Sequence, residues 1–425
     1  MNNHQRADLV IENIKTLLTL AGPNHPRVKE EMNHISRIKN GCVAIQADKI
    51  IYAGPSPLPS FIKTDEQTHF INGENKTVTP GLIDPHTHLV HGGSREQELA
   101  LKLHGTSYLE ILAQGGGIFK TVKDTQRASF EQLYQQAKKS LDHMLAFGIT
   151  TIEAKSGYGL DDFETELRQL EVAQKLHEDH PVDLVSTFMG AHAIPKAYQE
   201  NPQAFIDFLI EKMIPEVKRR NLAEFIDVFV EQGVFSIDQG REILRAGEKF
   251  GLIPKIHADE IVPLGGAQLA AELNCISAEH LIATDDEGIK ALAQAGVIAV
   301  LLPATSFNLQ VEHFARGRAM IEAGVPVALA TDYNPGSSPT ENLQLVMTLA
   351  CLVMKLTPEE VLTAVTINAA AAINRQDDIG SLEVGKKADI VLFDTPNLEY
   401  LIYHFGINHT DTVIKNGQIV YQKTS

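Results

Sequence analysis

The stretch TPGLIDPHTH, residues 79–88, decides how the rest of this chain is interpreted. Its apolar part is typical of a short buried β-strand, and His86 and His88 follow at the carboxyl end of that strand. Because side chains alternate between the two faces of a strand, both imidazoles point to the same side. Neutral imidazole binds zinc, iron and related ions, so the pair indicates half of a metal site. The spacing alone is weak, since 17 histidines among 425 residues give roughly 0.7 such pairs by chance.

The middle of the chain, residues 79–379, alternates apolar β-like segments with amphipathic helical ones. One such helix carries an apolar face formed by Phe130, Leu133, Tyr134, Ala137, Leu141, Met144 and Leu145. The predicted strands cover residues 82–88, 149–155, 182–189, 225–231, 252–257, 275–280, 297–302 and 325–332. Near-continuous apolar strands separated by helices indicate a parallel sheet covered on both faces. Eight of them predict an α/β fold, a (β/α)8 TIM-type barrel, in which chemistry occurs at the carboxyl ends of the strands.

The two ends of the chain differ from the middle. Residues 1–78 and 380–425 alternate short β-like runs with turns, and the Lys-Asn-Gly-Gln sequence at 415–418 is typical of a hairpin. We therefore predict two domains. Both ends together, 1–78 and 380–425, form a small β-sandwich, and residues 79–379 form the barrel.

Composition excludes several classes of partner. The net charge of −17 argues against nucleic acid and anionic membranes, which attract clustered Lys and Arg. Cys42, Cys275 and Cys351 are far apart and lie among apolar residues, which favours free thiols in a reducing compartment. We recognise neither a signal peptide nor an apolar run of about 18 residues. A cytoplasmic protein without a membrane or nucleic-acid partner is expected.

The predicted strand ends carry further metal-binding residues. The fifth strand ends in His257, followed closely by Glu260, while His280 ends the sixth and Asp332 the eighth. Together with the first histidine pair, His257 and Asp332 provide three imidazoles and a carboxylate at one mouth, a ligand set that suits zinc or iron. Such an ion lowers the pKa of a bound water from 15.7 towards about 7. Glu260 is the candidate to take and return a proton, and His280 the candidate to hold the water or polarise the bond under attack.

At this point the chain resembles the amidohydrolase superfamily of metal-dependent barrels. Within it, the chain is most similar to the imidazolonepropionase family, over essentially its whole length. The segments that carry this resemblance are HLVHGGSRE, EAKSGYGL, FMGAHAIP, KIHADE and ATDYNPGSSPT. The resemblance implies hydrolysis of the cyclic amide of 4-imidazolone-5-propanoate to N-formimino-L-glutamate in histidine degradation. It also implies one Zn2+ or Fe2+/Fe3+ ion per subunit and a homodimer.

Matched residue by residue, the resemblance gives the metal ligands His86, His88, His257 and Asp332. The implied catalytic residues are Glu260 and His280. The implied substrate-binding residues are Arg95, Tyr158, His192, Glu260, Asn334, Gly336 and Ser337.

The substrate's carboxylate can be matched to residues on physical grounds. The planar fork of Arg95 suits bidentate binding of a carboxylate. Ser338-Pro339-Thr340-Glu341 predicts a helix start, with Ser338 as the cap, and free N–H groups at a helix start favour an anion. The sequence therefore predicts that the carboxylate lies between Arg95 and the Gly336–Ser337 turn.

Two alternatives remain open. A deaminase of the same superfamily acting on a nucleobase-like ring would share the metal ligands, but a neutral ring would not need Arg95. A non-catalytic scaffold of this fold would be expected to have lost ligands, and all are present. Lys155 and Glu231 close the second and fourth strands, where some superfamily members bridge two metals; we expect one metal here.

Overall fold

The computed structural model describes residues 5–106, 110 and 115–424. Its central element is a sheet of eight parallel strands in chain order, each hydrogen-bonded to the next. These barrel strands cover Leu82–Thr87, Ile149–Lys155, Asp183–Ala191, Phe225–Val230, Ile253–Ala258, Ser277–His280, Ile298–Leu301 and Val327–Leu329. Nearly every strand residue is buried, as expected of a parallel sheet with helices on its outer face.

The residues after the eighth strand close the sheet onto the first. The His88 N–H donates to the carbonyl of Tyr333 at 2.8 Å, and the Asp332 N–H donates to that of His86 at 3.1 Å. A parallel bridge pairs Thr87 with Tyr333. The predicted (β/α)8 barrel is thus confirmed.

The predicted strand bounds agree with the structure to within a few residues, except at the eighth strand. That strand ends at Leu329 rather than at Asp332. The chain is instead held by Asp84, whose carboxylate accepts the N–H of Thr331 at 3.0 Å and its hydroxyl at 2.5 Å. Asp332 follows with a φ of +54°. The two hydrogen bonds from Thr331 to Asp84 therefore take the place of backbone pairing at the end of the eighth strand. They leave Asp332 at the mouth of the barrel.

A second sheet is built from both chain ends. Its strands are Leu9–Leu18, Arg37–Gln46, Lys49–Pro55, His69–Asn72, Thr77–Pro80, Ile390–Phe393, Thr410–Lys415 and Gln418–Gln422. A separate pair joins Gln5–Arg6 to Ile62–Lys63. The hairpin turn at 415–418 lies where the sequence predicts it. The sheet confirms that the ends pair together, while the domain boundaries at 79 and 380 stay a prediction.

One glycine separates the second sheet from the barrel. Gly81 lies between the strand that ends at Pro80 and the barrel strand that begins at Leu82. A Cβ at residue 81 would overlap the side chain of Thr150 on the second barrel strand. The close approach of the Thr150 side chain to this backbone position therefore requires glycine.

The helices of the described residues surround the barrel and connect its strands. The α-helices are Glu98–Leu103, Ile118–Arg127, Phe130–Ala146, Phe163–Asp179, Pro202–Phe208, Ile214–Arg219, Ile237–Lys249, Gly266–Glu272, Asp286–Ala295, Pro303–Asn308, Gly317–Ala323, Leu343–Met354, Pro358–Ala364, Ile367–Ala372 and Leu398–Tyr403. Short 3-10 turns cover Lys29–Asn33 and Lys196–Tyr198, and a π turn covers Leu209–Met213. The helix predicted from the apolar face at 130–145 is present, and Ser129 caps it. Among the described residues, no helix could cross a membrane.

The predicted helix start at Ser338 is wrong. The helix begins at Leu343, and Asn342 is its cap, accepting the N–H of Leu345 at 3.0 Å. Ser338 is buried, and its hydroxyl instead donates to the carbonyl of Thr331 at 2.6 Å. That bond folds the chain back towards the barrel mouth. The helix N-terminus therefore does not directly follow the Gly336–Ser337 turn.

Candidate active site

A cluster of buried metal-binding side chains lies at the carboxyl ends of the barrel strands. One ligand atom from each of His86, His88 and His257 lies within 4.8 Å of the others, and the same holds for His86, His280 and Asp332. Asp332 Oδ1 lies 3.3 Å from His86 Nε2 and 3.7 Å from His88 Nε2. All four predicted ligands are therefore at one place.

The chemistry of these atoms fits a metal ion. Among the described residues, Nε2 of His86 and Nε2 of His257 are buried and make no hydrogen bond. A buried nitrogen without a partner is costly, and a metal ion accepts its lone pair. Burial, followed by the nearby Lys155 ammonium, holds the pKa of His86 well below its usual value. The imidazole therefore stays neutral, which is the form that binds metal.

Buried partners orient three of the ligands. Glu279 Oε2 lies 2.8 Å from Nδ1 of His86. Asp227 accepts the backbone N–H of His257 at 3.1 Å, and its other oxygen lies 3.0 Å from Nδ1 of that ring. The hydroxyl of Thr305 donates to Oδ2 of Asp332 at 2.6 Å. Such partners fix which nitrogen or oxygen faces the metal.

Glu260 and His280 lie beside this cluster. Oε1 of Glu260 is 3.7 Å from Nδ1 of His280, whose ring centroid is 5.1 Å from that of His257. Burial, reinforced by the Asp332 carboxylate, raises the pKa of Glu260 to about 8. A carboxyl group whose pKa lies near neutrality can both accept and return a proton. The geometry thus allows the proton-transfer role predicted for Glu260.

The loop that carries Glu260 is held from both sides. Asp259, with a φ of +50°, accepts the backbone N–H groups of residues 264–267 at 2.9–3.1 Å and the Thr284 hydroxyl at 3.1 Å. Glu231 accepts the N–H of Ile261 at 2.8 Å. Sequence reasoning assigned no role to Asp259. Gly265 is the cap of the helix that begins at Gly266 and has no side chain to accept the free N–H groups, which was a signal that an acidic residue elsewhere could accept them.

Arg95 lies against the turn that follows Asp332. A Cβ on Gly336 would overlap the Arg95 guanidinium, so the two groups lie in direct contact. Asn334 Oδ1 accepts the N–H groups of Gly336 and Ser337, both at 2.8 Å, and thereby shapes this turn. Glu98, which the sequence did not single out, accepts from Nε of Arg95 at 3.1 Å. The guanidinium is thereby aimed at the turn.

Tyr158 and His192 lie on the other side of the cluster. The ring of His192 stacks on that of His88, with centroids 4.8 Å apart and an interplanar angle of 14°. The Tyr158 ring is 5.6 Å from that of His88 and 5.3 Å from that of His192. Burial, followed by the charge of His257, lowers the pKa of His192 to about 3. Both predicted substrate residues thus adjoin His88, one of the predicted metal ligands.

Lys155 and Glu231, the two candidates for bridging a second metal, are engaged elsewhere. Nζ of Lys155 donates to Glu153 at 2.7 Å and to Asp227 at 2.8 Å. Glu231 accepts the N–H groups of Gln232 and Ile261, both at 2.8 Å. These contacts agree with the expectation of a single metal.

Comparison with known proteins identifies the family of this chain. Residues 238–420 match the model of the amidohydrolase family. An imidazolonepropionase of Alkaliphilus metalliredigens is 59% identical over 416 residues, which are 98% of each chain. An imidazolonepropionase of Geobacillus kaustophilus is 54% identical over 415 residues, 97% of each chain.

Solved structures with low sequence identity share the fold. A zinc-bound adenosine deaminase of Xanthomonas campestris superposes with a TM-score of 0.71 at 19% identity, covering 98% of this chain and 93% of its own. An atrazine chlorohydrolase of Arthrobacter aurescens, complexed with zinc and atraton, has a TM-score of 0.70 at 16% identity, covering 97% and 95%. The barrel and second sheet are thus common to proteins whose names denote different reactions. The identity to the two imidazolonepropionases, 59% and 54% over nearly the full length, is far higher than the identity to these solved structures. This chain therefore belongs to the imidazolonepropionase family of amidohydrolases.

Proposed function

We propose that this protein hydrolyses the cyclic amide of 4-imidazolone-5-propanoate to N-formimino-L-glutamate, a step of histidine degradation. One observation carries the proposal beyond a generic amidohydrolase. Arg95 touches the turn at Gly336, and that turn follows Asp332 of the metal cluster by only a few residues. A carboxylate-binding cation thus lies beside a candidate hydrolytic centre, as a ring with a propionate side chain requires.

The ligands in this proposal are His86, His88, His257 and Asp332. A divalent ion bound there supplies Lewis acidity and lowers the pKa of a water molecule. We assign one ion per chain, zinc or iron, because imidazole and carboxylate suit both.

Glu260 and His280 carry the protons and the developing charge. Glu260 takes the proton from the attacking water and returns it to the departing ring nitrogen. His280 lies within 3.7 Å of Glu260 and stabilises the carbonyl oxygen as it becomes negative. Donors placed in advance around that oxygen need no reorganisation during the reaction.

The far end of the substrate is bound by charge and by ring contacts. Arg95 and the Gly336–Ser337 turn receive the propionate, while Tyr158 and His192 flank the imidazolone ring. Because the helix begins at Leu343 and not at Ser338, its free N–H groups no longer support anion binding at the Gly336–Ser337 turn. The contact between Arg95 and Gly336 remains the main support.

A nucleobase deaminase is the rival function on the same ligands. An adenosine deaminase shares the fold, but at 19% identity that likeness concerns the fold alone. Ultraviolet absorbance separates the two reactions when purified protein is given imidazolone propionate, adenosine or cytosine in parallel. Turnover of imidazolone propionate alone supports the proposal, and turnover of only a nucleobase or nucleoside overturns it.

We further propose a cytoplasmic homodimer. Cys42, Cys275 and Cys351 are free thiols, which suits a reducing compartment. Two helices in mutual contact expose apolar side chains near their ends, with Tyr403 83% and Leu352 57% exposed. A second copy would cover such a surface. Sedimentation of the protein and of Tyr403→Asp tests this, with a dimer expected only for the unmodified chain.

A further inference from the structure

The inside of the barrel below the metal cluster is ionic rather than apolar. Three carboxylates and two ammonium groups project into it from the second, fourth, fifth and sixth barrel strands, and all five side chains are fully buried. They are Glu153, Lys155, Asp227, Lys255 and Glu279, and we call them the ionic chain. Barrel interiors are usually filled by layers of branched apolar side chains.

The five groups are linked in sequence across the barrel. Lys255 lies 3.8 Å from Glu279 and 2.5 Å from Glu153. Lys155 then joins Glu153, at 2.7 Å, to Asp227, at 2.8 Å. Glu153 at the centre also accepts the hydroxyl of Thr187.

Each end of the ionic chain holds a different metal ligand. Glu279 lies 2.8 Å from Nδ1 of His86, and the hydroxyl of Ser277 donates to its other oxygen at 2.5 Å. Asp227 lies 3.0 Å from Nδ1 of His257 and also accepts that residue's N–H. Nε2 makes no hydrogen bond in either ring, and in each ring it is Nδ1 that faces the carboxylate. The two carboxylates therefore present the same nitrogen of two histidines to one point.

Stability does not explain why these charges are kept. Replacing a buried ion pair by apolar side chains of similar size is often neutral or stabilising. Fixing a ring against a metal does require a placed acceptor at its second nitrogen. Each of the two ammonium groups lies between two carboxylates and holds them in position through ion pairs.

We propose that the ionic chain is a single positioning device that sets His86 and His257 together for the metal. This rests on the proposed metal ligands. Glu153 is the decisive member because it touches neither histidine, yet both lysines depend on it. None of the five is a catalytic residue, since none faces the substrate.

The test measures zinc affinity, which does not require turnover. Metal-free protein competes with a chromophoric chelator for zinc, and the absorption spectrum of the cobalt-substituted protein reports ligand geometry. Glu279→Gln and Asp227→Asn are expected to weaken zinc binding about 10- to 100-fold. Glu153→Gln is expected to weaken it as well and to alter the cobalt spectrum. Glu360→Gln is the matched control, because that carboxylate is buried against Arg318 on an outer helix.

The outcomes separate this proposal from the proposed reaction. Normal zinc affinity and an unchanged cobalt spectrum in Glu153→Gln overturn the ionic chain as one device, whatever substrate the protein hydrolyses. A loss equal to that in Glu360→Gln overturns it too, since it would reflect general destabilisation. If Glu153→Gln does not fold, Thr187→Val carries the test, because it removes one hydroxyl from Glu153 and leaves every charge. Weaker zinc binding in that variant supports the proposal, and unchanged binding contradicts it.

Discussion

The substitution Arg95→Gln tests how the substrate is recognised. The guanidinium is largely buried, contacts Glu98 through two nitrogens near 3.1 Å and lies against Gly336. Glutamine removes the charge and shortens the side chain, so the substrate carboxylate loses its cation. One charge-assisted hydrogen bond contributes about 1.5–3 kcal/mol. The expected result is therefore a KM raised roughly 10- to 150-fold, since 1.36 kcal/mol is tenfold.

Arg95→Gln should raise KM and leave the metal content unchanged. The ion pair of Arg95 is with Glu98, which does not belong to the metal cluster. Binding lost equally in the ground state and the transition state raises KM and leaves kcat nearly unchanged. Initial rates from the ultraviolet absorbance of imidazolone propionate give both constants, and elemental analysis gives the metal content.

A substrate analogue and a matched arginine complete this experiment. The propionamide analogue lacks the charge, so it should be a poor substrate of the unmodified protein and lose little more in Arg95→Gln. Arg245→Gln removes an arginine that is 56% exposed and paired with Glu272, and its KM should not change. An unchanged KM for the propionate in Arg95→Gln, with normal metal content, refutes carboxylate binding by Arg95.

Four further predictions concern the turn at Gly336 and the loop that carries Glu260. Gly336→Ala should raise KM without loss of metal, because the added methyl group displaces the guanidinium it overlaps; steady-state rates and metal analysis check this, and unchanged kinetics would contradict it. Glu260→Gln should lower kcat about 10²- to 10⁴-fold while zinc still binds, and an active variant would remove Glu260 from the mechanism. The value of kcat/KM should fall as the pH is lowered, because Glu260 takes up a proton and can no longer act as a base. The pKa of Glu260 is about 8, and a bound cation would lower it, so the midpoint of this fall should lie at or below pH 8. A flat pH profile would argue against Glu260 as the base. Asp259→Asn should lower kcat more than it changes zinc affinity, because it frees the loop that positions Glu260, and the two constants measured side by side separate these effects.

Sequence reasoning found the members of the buried histidine–aspartate cluster because they lie at or just after strand ends. His86, His257 and Asp332 each come at or just after an apolar run, and parallel strands place such ends at one mouth. The fold followed from counting eight such runs. These features are local, so a single sequence displays them.

The supporting residues were harder to find because their partners are distant in the chain. Glu279 meets His86 across 193 residues, and Thr331 meets Asp84 across 247. Charged residues at alternate positions of apolar strands, as in ITTIEAK and LIPKIH, were the available signal. Ser338 failed as a helix cap for a different reason, because its hydroxyl donates to the carbonyl of Thr331, seven residues earlier, and this bond within the turn outweighed its preference for a cap.

The central claim is that His86, His88, His257 and Asp332 hold one ion on which hydrolysis depends. The most direct measurement adds zinc or iron in steps to metal-free protein and follows imidazolone propionate turnover together with bound metal. Activity should be absent at the start and should rise in proportion to bound metal until one ion per chain is reached. Full turnover by metal-free protein, or a plateau only at two ions per chain, would contradict the account.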